Sequence, residues 1–351
     1  MRTYLRNREL ALNYPGHIIT THQKLRHSSV EFLEKYEIIV DEDILKSTLT
    51  NATEIDISDL VETLEEIGSK KGFEELADKI NMVIDIIAEK EYFTLPKIKK
   101  PKNVTGISIP FDIPAFCENE RFCYDSFEKK LSFLRICPLH ENLKYTVMSA
   151  TADYDIFSLV YGRDRVKFYD CKRAKNKGKQ IQYANMSMSR IDIDLGNQQI
   201  FNKIWDKHGR LPTITHKKYF TIVGEELHFG NTEGSNKYSN KNIIVAGTPH
   251  QNEMVIKRIA HTLGFDVSDK LKRQQIMRNG FIFWFYTYTD KVLQNLALWL
   301  IESDLEQAVG RARLLRKDCV IYIYSNYPLE LSVFEESDFK DKDDDFSAEK
   351  C

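Results

Sequence analysis

Short runs of β-branched and other apolar residues alternate along the 351-residue chain with longer stretches whose apolar positions recur at helical spacing. That alternation predicts an α/β fold built on mostly parallel sheets. Residues 17–21 (HIITT) and 37–40 (EIIV) read as strands. Across 58–88, Leu60, Leu64 and Ile67, then Leu76, Ile80, Val83 and Ile87, keep helical spacing on either side of Gly68 and Gly72, which predicts a helical pair. A Pro- and Lys-rich stretch at 95–101 leads into an irregular aromatic segment reaching about residue 139, and 144–148 is the next strand. A second series of strands begins near Val166, with 181–186, 212–215, 243–246, 281–286 and 320–324 as its members. Helices over 251–263 and 292–314 lie between them, and no repeat of solenoid period is present.

The pattern divides the chain into a first domain over residues 1–154, with an insertion at about 50–140, and a second over 155–332. The remainder, 333–351, is acidic and poor in large apolar groups, so it is expected to be a disordered tail. With 42% hydrophobic and 29% charged residues, there is material for two ordinary cores. Lys plus Arg number 50 against 52 Asp plus Glu, so net charge argues neither for nor against a nucleic-acid partner. The basic residues cluster, however: 163–179 holds eight of them against two acids. Such a run reads as a solvated face, and as a phosphate contact only with a second supporting feature.

No apolar run approaches the roughly 20 residues of a membrane span, and the first six residues, MRTYLR, are no signal-peptide core. No membrane partner and a cytoplasmic location are therefore expected, and the six cysteines read as reduced thiols. Cys117, Cys123, Cys137 and His140 are near enough in sequence to invite a zinc site, but their spacing is irregular and buried thiols are the favoured reading.

Candidate chemistry sits at two places far apart in the chain. At the end of the 37–40 strand stand Asp41 and Glu42. A carboxylate pair there suits holding Mg²⁺ and orienting a water beside a phosphate; the competing reading is two surface acids that cap the next helix. Ser149 and Thr151 put hydroxyls at the end of a later strand of the same sheet. Near the other end, Gln307, Gly310, Arg311 and Arg313 fall within one or two helical turns. The arginines suit neutralising charge on a phosphate, and the glycine removes a side chain that would bar its approach. A cationic helix end would explain the arginines alone.

In this order the motifs resemble those of the superfamily 2 helicases of the broad DEAD/DEAH class, in the style of those carried by phages, plasmids and other mobile elements. Asp41 and Glu42 match its Walker B motif, Ser149 to Thr151 its Ser-Ala-Thr motif, and Gln307, Gly310, Arg311 and Arg313 its Gln-x-x-Gly-Arg-x-Arg motif. Residues 19–25, with Thr21 and His22, match the threonine motif that touches the nucleic-acid backbone. Thr215, His216 and Lys217 stand at the fourth motif, and Gly247, Thr248 and Pro249 at the fifth. Gly234, Ser235 and Asn236 belong to a Gly/Ser/Asn loop whose amides suit phosphates.

The resemblance implies two RecA-like parallel-sheet domains, the first incomplete and carrying a helical insertion. It implies an ATP-dependent helicase or translocase with ATP and Mg²⁺ as cofactors. Its partners would be single-stranded or duplex nucleic acid, DNA favoured, and other replication proteins. Asp41 would hold Mg²⁺ and Glu42 would act on water. Ser149, Thr151 and Gly310 would line the nucleotide, and Gln307, Arg311 and Arg313 would serve the transition state. Thr21, His22, Thr215, Lys217 and Thr248 would grip nucleic acid. Two departures stand out. No Gly-x-Gly-Lys-Thr/Ser loop occurs anywhere, since residues 68–72 (GSKKG) have the wrong order and position, and Leu314 stands where many relatives carry a further arginine. The expectation is therefore the C-terminal portion of such a motor; the alternatives are a nucleic-acid-binding module without turnover and an ATPase subunit completed by a partner.

Overall fold

A computed structural model describes residues 16–68, 70–102, 109–136, 139–171, 174–196, 199–232, 234–336 and 349–350. Cys137, Lys172, Arg173 and residues 337–348 of the acidic tail lie outside the described residues. The chain clusters into two units, Met1–Val166 with His261–Leu263, and Lys167–Ala260 with Gly264–Cys351. The expected α/β class with parallel sheets is what forms.

The first unit begins with helix α1 (His22–Arg26), strand β1 (Ile38–Asp41) and helix α2 (Ile44–Thr50). Residues 17–21 form no strand; Thr21 is the N-cap of α1, and Ile19 before it is fully exposed, so nothing apolar holds this segment against a sheet. Next come β2 (Thr53–Asp56), α3 (Ile57–Ile67), α4 (Glu74–Ile86), β3 (Tyr92–Thr94), α5 (Ile113–Glu118), β4 (Arg121–Asp125) and β5 (Lys130–Phe133). The unit closes with β6 (Tyr145–Met148) and α6 (Tyr154–Tyr161). Strands β1 and β6 pair in parallel.

The inserted region is not only helical. Its strands make an antiparallel sheet in the order β2-β5-β4-β3. The expected helical pair, α3 and α4, buries Leu60, Ile67, Leu76, Ile80 and Val83 in one core with Phe93, Phe116, Phe122 and Phe133. Lys79 is buried in that core with its ammonium on three carbonyls, Pro96 at 2.9 Å, Cys117 at 3.2 Å and Asn119 at 2.7 Å. Desolvation lowers its pKa to about 8.

The second unit contains β7 (Lys179–Tyr183), α7 (Arg190–Leu195), α8 (Ile200–His208), β8 (Thr213–Ile214), β9 (Ile243–Ala246) and all but the last two residues of α9 (Glu253–Thr262). It continues with β10 (Lys272–Arg278), β11 (Phe281–Thr287), α10 (Lys291–Gly310), β12 (Val320–Tyr324) and β13 (Val333–Phe334). No strand forms at Val166, which follows a 3-10 turn over Arg163–Arg165. The five-stranded sheet has the order β13-β7-β12-β9-β8, and every pairing in it is parallel. It therefore runs one strand past residue 332, into the stretch read as tail.

Central strand β9 shows why such a sheet reads as an unbroken apolar run. Ile243 and Val245 pack on one face with Leu298, Ile301, Leu305 and Val309 of α10, while Ile244 and Ala246 pack on the other with Ile193, Phe201 and Ile204. Strands β10 and β11 form an antiparallel hairpin closed by Asn279 and Gly280, both at positive φ (55° and 75°), the requirement of a tight two-residue turn. Glu349–Lys350, also from the stretch read as a disordered tail, pairs antiparallel with β11.

Candidate functional site

In the first unit the parallel register sets Asp41 opposite Met148, so β1 delivers its carboxylates where β6 delivers Ser149. The backbone N–H of Glu42 donates to Met148 O at 2.9 Å. Glu42 itself sits at φ 69°, the left-handed region, at a cost of ~1 kcal/mol for a residue with a side chain. Asp41 and Glu42 are both exposed, whereas Asp43 is buried and caps α2, its Oδ1 accepting from Leu45 N at 2.8 Å. The capping role that competed for this acidic run thus belongs to Asp43.

Beside them, Ser149 Oγ accepts from Thr151 N at 3.0 Å and lies 3.2 Å from Thr151 Oγ1, a local turn that points two hydroxyls at the same edge. His22 Nε2 meets the carbonyl of Asp41 at 2.8 Å, which fastens α1 to the acidic loop. Thr21 Oγ1 accepts from Lys24 N at 3.2 Å as the helix cap. Both side chains expected to grip a nucleic-acid backbone are engaged in holding α1. Arg26 is a residue sequence reasoning missed; its guanidinium donates to Ile44 O at 2.7 Å and to Thr48 Oγ1, clamping the start of α2 behind the acids.

In the second unit two expected contacts face inward. Thr215 is fully buried and its Oγ1 donates to Ala246 O at 2.6 Å. Thr248, equally buried, has Ser187 O at 2.6 Å, Ser325 Oγ at 2.8 Å and Asn326 Oδ1 at 2.9 Å around its hydroxyl. Neither hydroxyl is presented to a ligand: Thr215 ties the end of β8 to the end of β9, and Thr248 ties the loop after β9 to those after β7 and β12. Lys217 is exposed. His216, between Thr215 and Lys217, is buried, and desolvation pulls its pKa to about 4, so its ring is neutral at pH 7. Gly247, at φ 142°, leaves the space that this ring needs, since a Cβ there would come 2.8 Å from His216 Nε2.

Helix α10 ends at Gly310, short of the expected 314, so the two arginines leave the helix rather than diverge on it. Arg311 is 6% exposed, with Nε on Gln307 O at 3.0 Å and Nη1 on Ser235 O at 3.1 Å. Arg313 adopts φ 61° and is exposed, with Nη2 on Asn236 Oδ1 at 2.9 Å. Both hold the Gly/Ser/Asn loop. A Cβ at Gly310 would meet nothing within 4 Å, so the glycine leaves open surface beside the arginines.

The structure therefore assembles two clusters, one in each unit. Asp41, Glu42, Ser149 and Thr151 share the C-terminal edge of the β1–β6 pair, and Arg311 and Arg313, just past Gln307 and Gly310, hold the 234–236 loop. Among the described residues no group of three His, Cys, Asp or Glu side chains could hold a metal. Two exposed carboxylates are nevertheless the partial shell that Mg²⁺ accepts, with water and phosphate oxygens completing it. Cys117 and Cys123 are buried free thiols, and burial pushes the Cys117 pKa up to about 11. A shallow depression of about 370 Å³, lined by Glu37, Ile38 and Lys144 among others, lies at the opposite, N-terminal end of β1 and β6.

These features define a two-unit α/β protein with a parallel sheet in each unit. No family model and no curated protein matches the chain. Among solved structures it is similar to an XPD helicase at 12% identity and TM-score 0.43, over 84% of this chain and 66% of that one. It is also similar to Xpd4 of S. tokodaii (14%, TM-score 0.40, 93% and 76%) and to an apo XPD (14%, TM-score 0.43, 84% and 73%). The chain thus spans just under two thirds of the length of the first of these, at 66%. Among the described residues no helix is long and apolar enough to cross a membrane.

Proposed function

We propose that the chain acts as an ATP-dependent motor on single-stranded or duplex nucleic acid, of helicase or translocase type, with DNA as the favoured substrate. The observation that carries this reading is the exposed Asp41–Glu42 pair beside Ser149 and Thr151, with the capping duty already met by Asp43. Asp41 would hold the Mg²⁺ that accompanies ATP. The bound ATP and its metal would supply an activated phosphoryl group. Glu42 would accept a proton from the attacking water at its carboxylate oxygen. In the second unit Arg313 is the exposed cation suited to phosphate charge, and Arg311 acts as a positioning residue through Ser235.

A second reading, a nucleic-acid-binding subunit that a partner completes, has its own support. Parallel strands are ordinarily covered on both faces, yet β1 and β6 leave Ile39 and Met148 exposed. The chain also has no Gly-Lys-Thr loop to grip a triphosphate. The test is ATP hydrolysis by the 351-residue chain with and without single-stranded DNA, in wild type and Glu42→Gln. DNA-stimulated turnover that falls at least ~100-fold in the variant while ATP binding persists supports the motor. Undiminished turnover in the variant removes Glu42 from its role. DNA binding without turnover favours the partner-completed subunit, and absence of DNA binding rejects both.

A further inference from the structure

The outer face of the β10–β11 hairpin has no part in the chemistry above. Alternation along the strands sends Ile276, Phe281, Phe283 and Phe285 into the core. It leaves Met277, Trp284 and Tyr286 exposed, at 70%, 46% and 62%. Trp284 and Tyr286 are two residues apart on one strand, so their rings leave the same face about 7 Å from each other. The cross-strand register sets Gln275 opposite Trp284 and Arg273 opposite Tyr286, and the Arg273 guanidinium carbon lies 5.6 Å from the centre of the Trp284 ring. Lys272, the next residue along the strand, alternates to the other side and lies 3.9 Å from the Asp269 carboxylate, so Arg273 supplies the positive charge of this face.

The ribbon is stiff. Gln274 Nε2 donates to Thr287 O at 3.1 Å and to Tyr288 O at 2.8 Å, and the Asp269 carboxylate accepts from Thr289 N at 2.6 Å and Asp290 N at 2.7 Å. Two aromatic rings held in solvent beside a guanidinium suit a polyanion that carries flat faces. The interval between the rings is about that of successive bases in an extended strand, and the guanidinium complements the phosphate between them. An apolar protein surface would match the rings but not the charge.

We propose that this face is a stacking platform for single-stranded nucleic acid: Trp284 and Tyr286 receive neighbouring bases, and Arg273 meets the backbone. The proposal rests on the nucleic-acid reading above and specifies a surface for it. The full chain is titrated with a fluorescently labelled oligothymidylate and, separately, with a duplex of the same length, in wild type, Trp284→Ala, Tyr286→Ala, Trp284→Phe and Arg273→Ala. Each alanine substitution of a ring should weaken single-strand binding roughly tenfold or more, with Trp284→Phe restoring most of it. Duplex binding, whose bases are already stacked, should be unchanged by them. Arg273→Ala should reduce the slope of log affinity against log salt by about 0.7, the single-strand value per phosphate. Single-strand binding unaffected by both ring substitutions overturns the platform and leaves the nucleic-acid reading standing; equal loss on duplex overturns it as well. A wild-type chain that binds neither oligonucleotide overturns both.

Discussion

Replacing Arg311 and Arg313 one at a time with alanine separates a structural tether from a phosphate-facing cation. The Arg311 guanidinium is buried and donates to two carbonyls, Gln307 O at 3.0 Å and Ser235 O at 3.1 Å. A hydrogen bond from a charged group contributes roughly 1.5–3 kcal/mol, and two such bonds from a buried guanidinium are lost here, so Arg311→Ala should cost about 3–5 kcal/mol. For a unit of this size that is a drop of about 6–20 °C in Tm. Arg313 is exposed and makes one side-chain bond, to Asn236 Oδ1, so Arg313→Ala should change stability by less than about 1 kcal/mol. Arg311→Lys keeps the charge but not the fork that reaches both carbonyls, and should fall between wild type and the alanine variant. Thermal and urea denaturation followed by circular dichroism measure all three. If DNA-stimulated hydrolysis is present, Arg313→Ala should abolish it in a protein of unchanged Tm. An Arg311→Ala protein within about 1 °C of wild type, or an Arg313→Ala protein equally destabilised, would refute the division of roles.

Gly178→Ala should destabilise the second unit by more than about 2 kcal/mol, since its Cβ would collide with Cys319 O, with Leu314 Cδ2 at 2.6 Å and with Lys317 O at 2.9 Å; urea midpoints check this. Gly310→Ala should instead raise stability by ~0.5–1 kcal/mol, because the site is open and the helix gains; weaker phosphate-ligand binding despite that gain would identify the glycine as an approach surface. Burial holds His216 at about 4 against an ordinary 6.5, so the unfolded chain takes up its proton first and stability falls as pH drops from 6.5 toward 4, by ~2 kcal/mol at pH 5. His216→Gln should flatten that part of the pH–stability curve, and an unaltered curve would exclude His216 as its source. Lys79→Met removes the donor of three carbonyls, the buried one of Cys117 among them, and should cost the first unit about 2–4 kcal/mol, seen as an early thermal transition.

The fold was legible where one physical requirement dominated. Residues 243–246 (IIVA) must be apolar on both faces because β9 is central and parallel, and Leu60, Leu64 and Ile67 repeat at the helical period because α3 has one buried face. Legibility failed where local and tertiary signals conflicted. Residues 17–21 have strand composition, yet Thr21 begins a helix and no core receives Ile19. Arg121–Asp125 and Lys130–Phe133 are short strands with polar ends, so the antiparallel sheet of the inserted region left no clear period in the sequence. The Asn279–Gly280 turn was a readable hairpin signal that went unread, and with it β10.

For the candidate site, sequence pointed to positions along the chain but not to the direction of their side chains. Asp41, Glu42, Ser149 and Thr151 meet because a parallel pair ends them at one edge, a consequence of strand order that the alternating pattern already contained. Direction depends on what each loop lacks internally. The carbonyls of Ala246, at the end of β9, and of Ser187, in the loop after β7, need donors, so Thr215 and Thr248 turn inward to supply them. The carbonyl of Ser235 needs one as well, and Arg311 supplies it. Arg313 donates to a side-chain oxygen that water could serve equally well, which leaves it free to exchange Asn236 for a phosphate at little cost. The Gln307–Arg313 stretch thus contains both a residue that builds a loop and one left exposed beside it, and burial tells them apart.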